Sequence, residues 1–158
     1  GVDRKIHLRL PLPQALGRIS WPLAGIGARA MTAIVEPKGA LTIRTLAMPA
    51  DTNPAGDIFG GWVMSQMDIA GAIAAIERAK GRVVTVAVEA MTFIAPVKVG
   101  DILCVYTNIE RVGTTSITIG VEAWARRNRL DDRVKVTDGH FVYVSLGEDG
   151  RKRPVPPA

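Results

Sequence analysis

The chain reads as an α+β domain, an antiparallel sheet wrapped around one long central helix. Three observations predict this. A stretch from about Gly60 to Ala79 is apolar nearly all round at helical spacing, with the carboxylate of Asp68 in its middle. Four segments rich in β-branched residues follow it and one precedes it. A single helix so apolar must be covered on every side, by a curled sheet and by a partner.

Leu41 to Leu46 reads as a short strand. Residues 48–57 (Met-Pro-Ala-Asp-Thr-Asn-Pro-Ala-Gly-Asp) are dense in turn formers and lead into the helix, with Asp57 as a natural N-cap. The helix is expected to stop at Lys80-Gly81, a basic last residue followed by a C-cap glycine. Strands follow at Val83 to Phe93, Asp101 to Val112, Thr114 to Arg126 and Lys135 to Leu146. Pro96 and Gly100 punctuate the connection before Asp101, and Gly113 suits a tight hairpin. Gly147 to Pro157 reads as a polar tail containing prolines.

A length of 158 residues suits one globular domain. The expected division is an N-terminal extension over 1–38, the folded domain over 39–148 and a C-terminal tail over 149–158. Residues 1–30 hold five basic residues and one acid, a net of +4. The remaining 128 residues hold 15 basic and 14 acidic, a net of +1, so no basic stripe for nucleic acid is expected. Residues 1–30 follow no sustained period, and high mobility is expected there. They read as translation from an upstream start not used in nature, as a loosely docked arm, or as a remnant of a basic targeting sequence. No apolar run approaches the roughly 20 residues of a membrane span. The lone Cys104 sits in an alternating segment and reads as plain core, no cluster suggests a metal site, and a reducing, cytoplasmic location is the default.

The chemistry concentrates between Asp57 and Asp68. A helix N-terminus offers free backbone N–H groups and a partial positive charge. Glycines there, Gly60 and Gly61, let a ligand approach the backbone. Gly61, Ser65, Asp68 and Ala72 fall within roughly 60° of one another on the helix. Trp62, Ile69, Ile73 and Ile76 lie on one flank of that face, and Val63, Met67, Ala70 and Ala74 on the other. A carboxylate two turns along the same face can address whatever the N-terminus holds, pairing an oxyanion site with a base as acyl transfer requires. The plainer reading of Asp68 is a carboxylate satisfied by Ser65, Gln66 or a neighbouring strand.

Several stretches also carry a family resemblance: Leu46 to Asn53, Gly56 to Trp62, Met64 to Asp68, Gly81 to Val86, Met91 to Phe93, Pro96-Val97 with Val99 to Asp101, and Gly113 to Ser116. From about Leu41 to Pro154 the chain resembles acyl-CoA thioesterases of the hotdog fold, close to the YciA type. The resemblance implies a sheet wrapping the helix, homodimers with active sites at the interface, and a higher oligomer such as a hexamer. It implies that Asp68 acts as general base or nucleophile on an acyl-CoA substrate. Asp57 would face Asp68 of the other subunit, and Gly61 with Gly60 would offer N–H groups to the thioester oxygen. Asn53 and Phe59 would lie against substrate, and Arg82, Val83, Val84 and Thr85 with Gly113, Thr114, Thr115 and Ser116 would contact coenzyme A. Coenzyme A would be part of the substrate, with no separate cofactor and no metal.

Two rival readings stand beside this one. A dehydratase of the same fold would use a histidine near the helix, and only His7 and His140 exist. A non-catalytic acyl-CoA sensor or binding module would need no base, which Asp68 supplies. The anionic coenzyme needs local positive charge, for which Lys80, Arg82, Lys98, Arg126 and Arg127 are candidates. Phe59, Trp62, Met64 and Phe93 are candidates to shape an acyl tunnel, and equally candidates for core.

Overall fold

In the computed structural model, residues 36–127 and 132–158 are described. The expectations about residues 1–30, and about His7, lie outside them. The elements run β1 (Ala40–Leu46), a short 3-10 turn (Pro49–Asp51), α1 (Gly60–Ala79), β2 (Val83–Phe93), β3 (Ile102–Val112), β4 (Ser116–Arg127) and β5 (Asp132–Ser145). The strands form one sheet in the order β1-β3-β4-β5-β2, with every pairing antiparallel. The helix touches all five strands, as a sheet that wraps a helix must.

Alternation along the strands decides which face meets the helix. Ile117, Ile119, Val121, Ala123 and Ala125 of β4 and Phe141 and Tyr143 of β5 are buried in the core, with Leu103 and Val105 of β3. Opposite them the helix presents Val63, Met67, Ala70, Gly71, Ala75 and Ala79, all buried. The small residues of that set bring the helix axis close to the sheet. Both flanks of the helix are apolar, so spacing alone did not say which one meets the sheet. The other flank is open in the single chain: Ile69 is 48% exposed, Ile73 37% and Ile76 47%. Phe59, Met64 and Phe93 are also exposed rather than core.

Two helix ends differ from the expected chemistry. Phe59, not Asp57, is the N-cap residue, and no side chain caps that end. The approach path explains this. Asn53 N–H donates to Asp57 O at 2.7 Å, Thr52 bridges to Ile58, and Phe59 N–H donates to Asp51 O at 2.9 Å. These bonds hold Asp57 before the helix begins. At the other end Lys80, not Gly81, takes the left-handed conformation, with φ 49° and ψ 47°. Gly81 serves a different need, since a Cβ there would strike the Arg153 guanidinium.

The segment after β5 turns back onto the domain. Leu146 bridges to Lys152, and Val155 N–H donates to Thr114 O at 2.8 Å. Arg153 Nη2 donates to Ala79 O at 2.7 Å and to Lys80 O at 3.1 Å. A cation on the last carbonyls of a helix satisfies orphan acceptors and complements the helix dipole. The β3–β4 hairpin turns at Gly113 to Thr115, closed by Gly113 N–H to Ser116 O at 2.7 Å.

Candidate active site

The helix N-terminus leaves two donors free. Trp62 and Val63 N–H both donate to Phe59 O, and Phe59 N–H is taken by Asp51. Among the described residues the N–H groups of Gly60 and Gly61 have no acceptor. Gly61 is exposed and Gly60 half-buried, so this end of the helix faces outward. Free N–H groups at the positive end of a 20-residue helix form a ready anion site. Next to them, Phe59 is 56% exposed. Asn53 Oδ1 accepts from Ala55 N–H at 2.9 Å and Asp57 N–H at 3.1 Å, so Asn53 shapes the loop that leads in.

Asp68 is half-buried and held from the sheet. Its Oδ1 accepts from Thr85 Oγ1 at 2.7 Å and from Tyr143 OH at 3.2 Å. The Tyr143 hydroxyl also lies 3.0 Å from the Asp68 main-chain oxygen. Oδ2 has no partner among the described residues. Of the expected satisfiers, the neighbouring strands provide the donors. Ser65 instead turns its hydroxyl to Trp62 O at 2.7 Å. Thr85, expected at coenzyme A, therefore has its hydroxyl on Asp68. Tyr143 was missed as a site residue, because within β5 it reads as one more inward aromatic. Its signal was the hydroxyl itself, since a buried tyrosine needs an acceptor. Burial first, and the adjacent Asp68 charge second, push its hydroxyl far above the ordinary tyrosine range. It stays protonated and remains a donor.

The other expected residues separate into two groups. Asp57 sits beside the helix N-terminus, ion-paired to Lys98. Arg82, Val83 and Val84 and the Gly113–Ser116 turn gather near the helix C-terminal end. Val83 pairs with Ser145 and Val84 with Val144, while Ser116 pairs with Val144 on the other side. Thr115 O accepts Ser145 N–H at 2.8 Å. A cleft lined by Lys80, Arg82, Leu146, Glu148 and Arg153 opens there. Of the candidate cations, Lys98 is taken by Asp57, and Arg127 Nε by Asp101 at 3.2 Å. Lys80 and Arg82 are exposed. His140 is spent on Glu110 at 2.8 Å, on the sheet rather than near the helix start. Among the described residues no helix is long and apolar enough to cross a membrane, and no cluster has the ligands for a metal.

Comparison with known proteins agrees with this architecture. Residues 55–131 match the family model of the thioesterase superfamily. The acyl-CoA thioester hydrolase YciA of Salmonella typhimurium is 56% identical over 123 residues, covering 76% of this chain and 92% of its own. A hexameric thioesterase from Yersinia pestis superposes with a TM-score of 0.75 at 52% identity, covering 78% of this chain and 100% of its own. A hexameric hotdog-fold thioesterase of Campylobacter jejuni superposes with a TM-score of 0.71 at 45% identity, covering 75% and 91%. The sheet, the helix and the open helix N-terminus thus define a hotdog domain. The chain belongs to the thioesterase superfamily, among the hotdog-fold acyl-CoA thioesterases of the YciA type.

Proposed function

We propose that this protein hydrolyses acyl-CoA thioesters to a free carboxylic acid and coenzyme A. The observation that carries the reading is the pairing of two unclaimed N–H groups, on Gly60 and Gly61, with a carboxylate whose Oδ2 is unclaimed. The glycine N–H groups stabilise the oxyanion that forms as the acyl carbon becomes tetrahedral. Water adds to that carbon and gives a proton to Asp68. The C–S bond then breaks, and the proton leaves on the coenzyme A sulfur. Attack by Asp68 itself, through an anhydride that water later opens, uses the same oxygen. Coenzyme A enters as part of the substrate, and neither route invokes a separate cofactor or metal.

Seven residues separate Gly61 from Asp68, a rise of about 10 Å. One carbonyl cannot engage both on a single helix, although they share a face. We therefore assign each site to two protomers, with the glycines of one and Asp68 of the other. Asp57, steadied by Lys98, lies at the glycine side and faces the partner's Asp68. The exposed Ile69, Ile73 and Ile76, together with Val86 and Val88 on the free edge of β2, supply apolar surface for that dimer. The hexameric relatives support a further assembly of such dimers. Arg82, Val83, Val84 and the Gly113–Ser116 turn, with Lys80, form the coenzyme A platform. Asn53 and Phe59 flank the acyl group. The reading includes a cytoplasmic location, supported by a single cysteine that lies buried.

The test is thiol release from acyl-CoAs of short to long chain by wild type and Asp68→Asn, with assembly followed by light scattering. The variant is expected to lose kcat by orders of magnitude while keeping the wild-type assembly. Wild-type turnover in Asp68→Asn excludes the carboxylate from the chemistry. No release by wild type, with coenzyme A still bound, points to a binding module.

A further inference from the structure

Thr85 and Tyr143 lie directly opposite each other in the β2–β5 register. Cross-strand partners point to the same face of a sheet. Their two hydroxyls therefore reach the helix side by side, and both address one oxygen, Asp68 Oδ1, at 2.7 and 3.2 Å. Tyr143 is fully buried. Its hydroxyl spans the side-chain and main-chain oxygens of the same aspartate, which restrains the Asp68 side chain relative to its own backbone. The helix has a slot for this hydroxyl. Gly71 lies one turn beyond Asp68, and a Cβ at Gly71 would overlap the Tyr143 oxygen. Any other residue at 71 would close the slot.

We infer that Tyr143 and Thr85 are positioning residues that clamp Oδ1 of Asp68 and so reserve Oδ2 for the reaction. The inference rests on Asp68 being the acting carboxylate. The clamp removes the side chain's freedom to swing about χ1 and χ2. Such freedom is costly, since a misplacement of about 1 Å in a reacting group costs on the order of a hundredfold in rate. A merely structural tie between helix and sheet would need only the main-chain bond from Tyr143. It would give no role to the Thr85 hydroxyl, which lies on an exposed edge-strand residue outside the core.

The experiment compares Tyr143→Phe, Thr85→Val, Thr85→Ser and Asp68→Asn with wild type, measuring kcat and KM for thiol release. Tyr143→Phe and Thr85→Val are each expected to lower kcat by about tenfold or more with KM within about twofold. Thr85→Ser, which keeps the hydroxyl, restores most of kcat. An unchanged kcat in Thr85→Val and Tyr143→Phe, with Asp68→Asn inactive, overturns the clamp and leaves the hydrolase reading standing. A rise in KM alone for Thr85→Val also overturns it and returns Thr85 to substrate binding. Turnover by Asp68→Asn removes the reading on which the clamp rests. Should Tyr143→Phe fail to fold, Thr85→Val decides the question by itself.

Discussion

Replacing Gly71 by alanine sets two forces of opposite sign against each other. In an exposed helix interior the change stabilises by roughly 0.8–1 kcal/mol through helix propensity. Here a Cβ would overlap the Tyr143 hydroxyl and stand 2.9 Å from its Cζ and 3.0 Å from its Cε2. The ring is fully buried, so it cannot swing out into solvent. Overpacking of this kind costs about 1–3 kcal/mol. Displacing the hydroxyl also gives up its bonds to Asp68, worth roughly 1–3 kcal/mol when a buried donor is left unpaired. The steric and polar terms outweigh the propensity gain, and a net loss of about 1–5 kcal/mol is expected. The assay is urea unfolding at fixed protein concentration, with kcat measured alongside. A Gly71→Ala protein as stable as wild type, or more so, would refute the slot. In a Tyr143→Phe background the penalty should shrink, because the hydroxyl overlap and the lost bonds are both absent, but not vanish, because the ring carbons still crowd the new methyl.

Two further outcomes follow from the same structure. The Tyr143 hydroxyl holds its proton in the fold well above the ordinary value of 10.0, chiefly through burial and then through Asp68. Above about pH 10 the unfolded chain loses that proton and the folded chain keeps it, so stability falls by up to about 1.4 kcal/mol per pH unit. Urea midpoints between pH 8 and 11 should fall less steeply in Tyr143→Phe, and parallel slopes would contradict the burial argument. Lys135, bonded to Asp138 and Glu122, contributes alkaline loss equally in both proteins. Arg153→Ala removes the donors on Ala79 O and Lys80 O and is expected to cost about 1–2 kcal/mol. Hydrogen exchange over the last turn of α1 and residues 146–156 should quicken together, and unchanged protection there would show that the contact is idle.

The strands and the helix limits were legible because each depends on local pattern. Alternation marked β3 to β5, and Gly60 stood at the helix start as expected. Asp68 was legible as the one charge in the helix ahead of its last turn, where Glu77 and Arg78 stand. The caps were not. Asp57 has the side chain of an N-cap, but the Thr52–Ile58 bridge decides where the helix begins. Gly81 has the backbone freedom of a C-cap, but Lys80 takes the left-handed position, and the glycine yields its space to Arg153. Lys98 and Arg127 looked available for an anionic ligand, yet carboxylates distant in sequence claim both.

By itself the amino-acid sequence determined the order of elements, the apolar helix with a carboxylate in its middle, and the glycines that leave its first N–H groups open. These follow from periodicity and backbone freedom, which act over a few residues. Only the tertiary structure decided which helix flank meets the sheet, since both flanks are equally apolar. It also decided what holds Asp68. Thr85 is 17 residues away and Tyr143 is 75, and the antiparallel register of β2 and β5 brings both hydroxyls to one carboxylate oxygen. A hydrogen bond depends on position in space, and sequence spacing carries no signal across that separation.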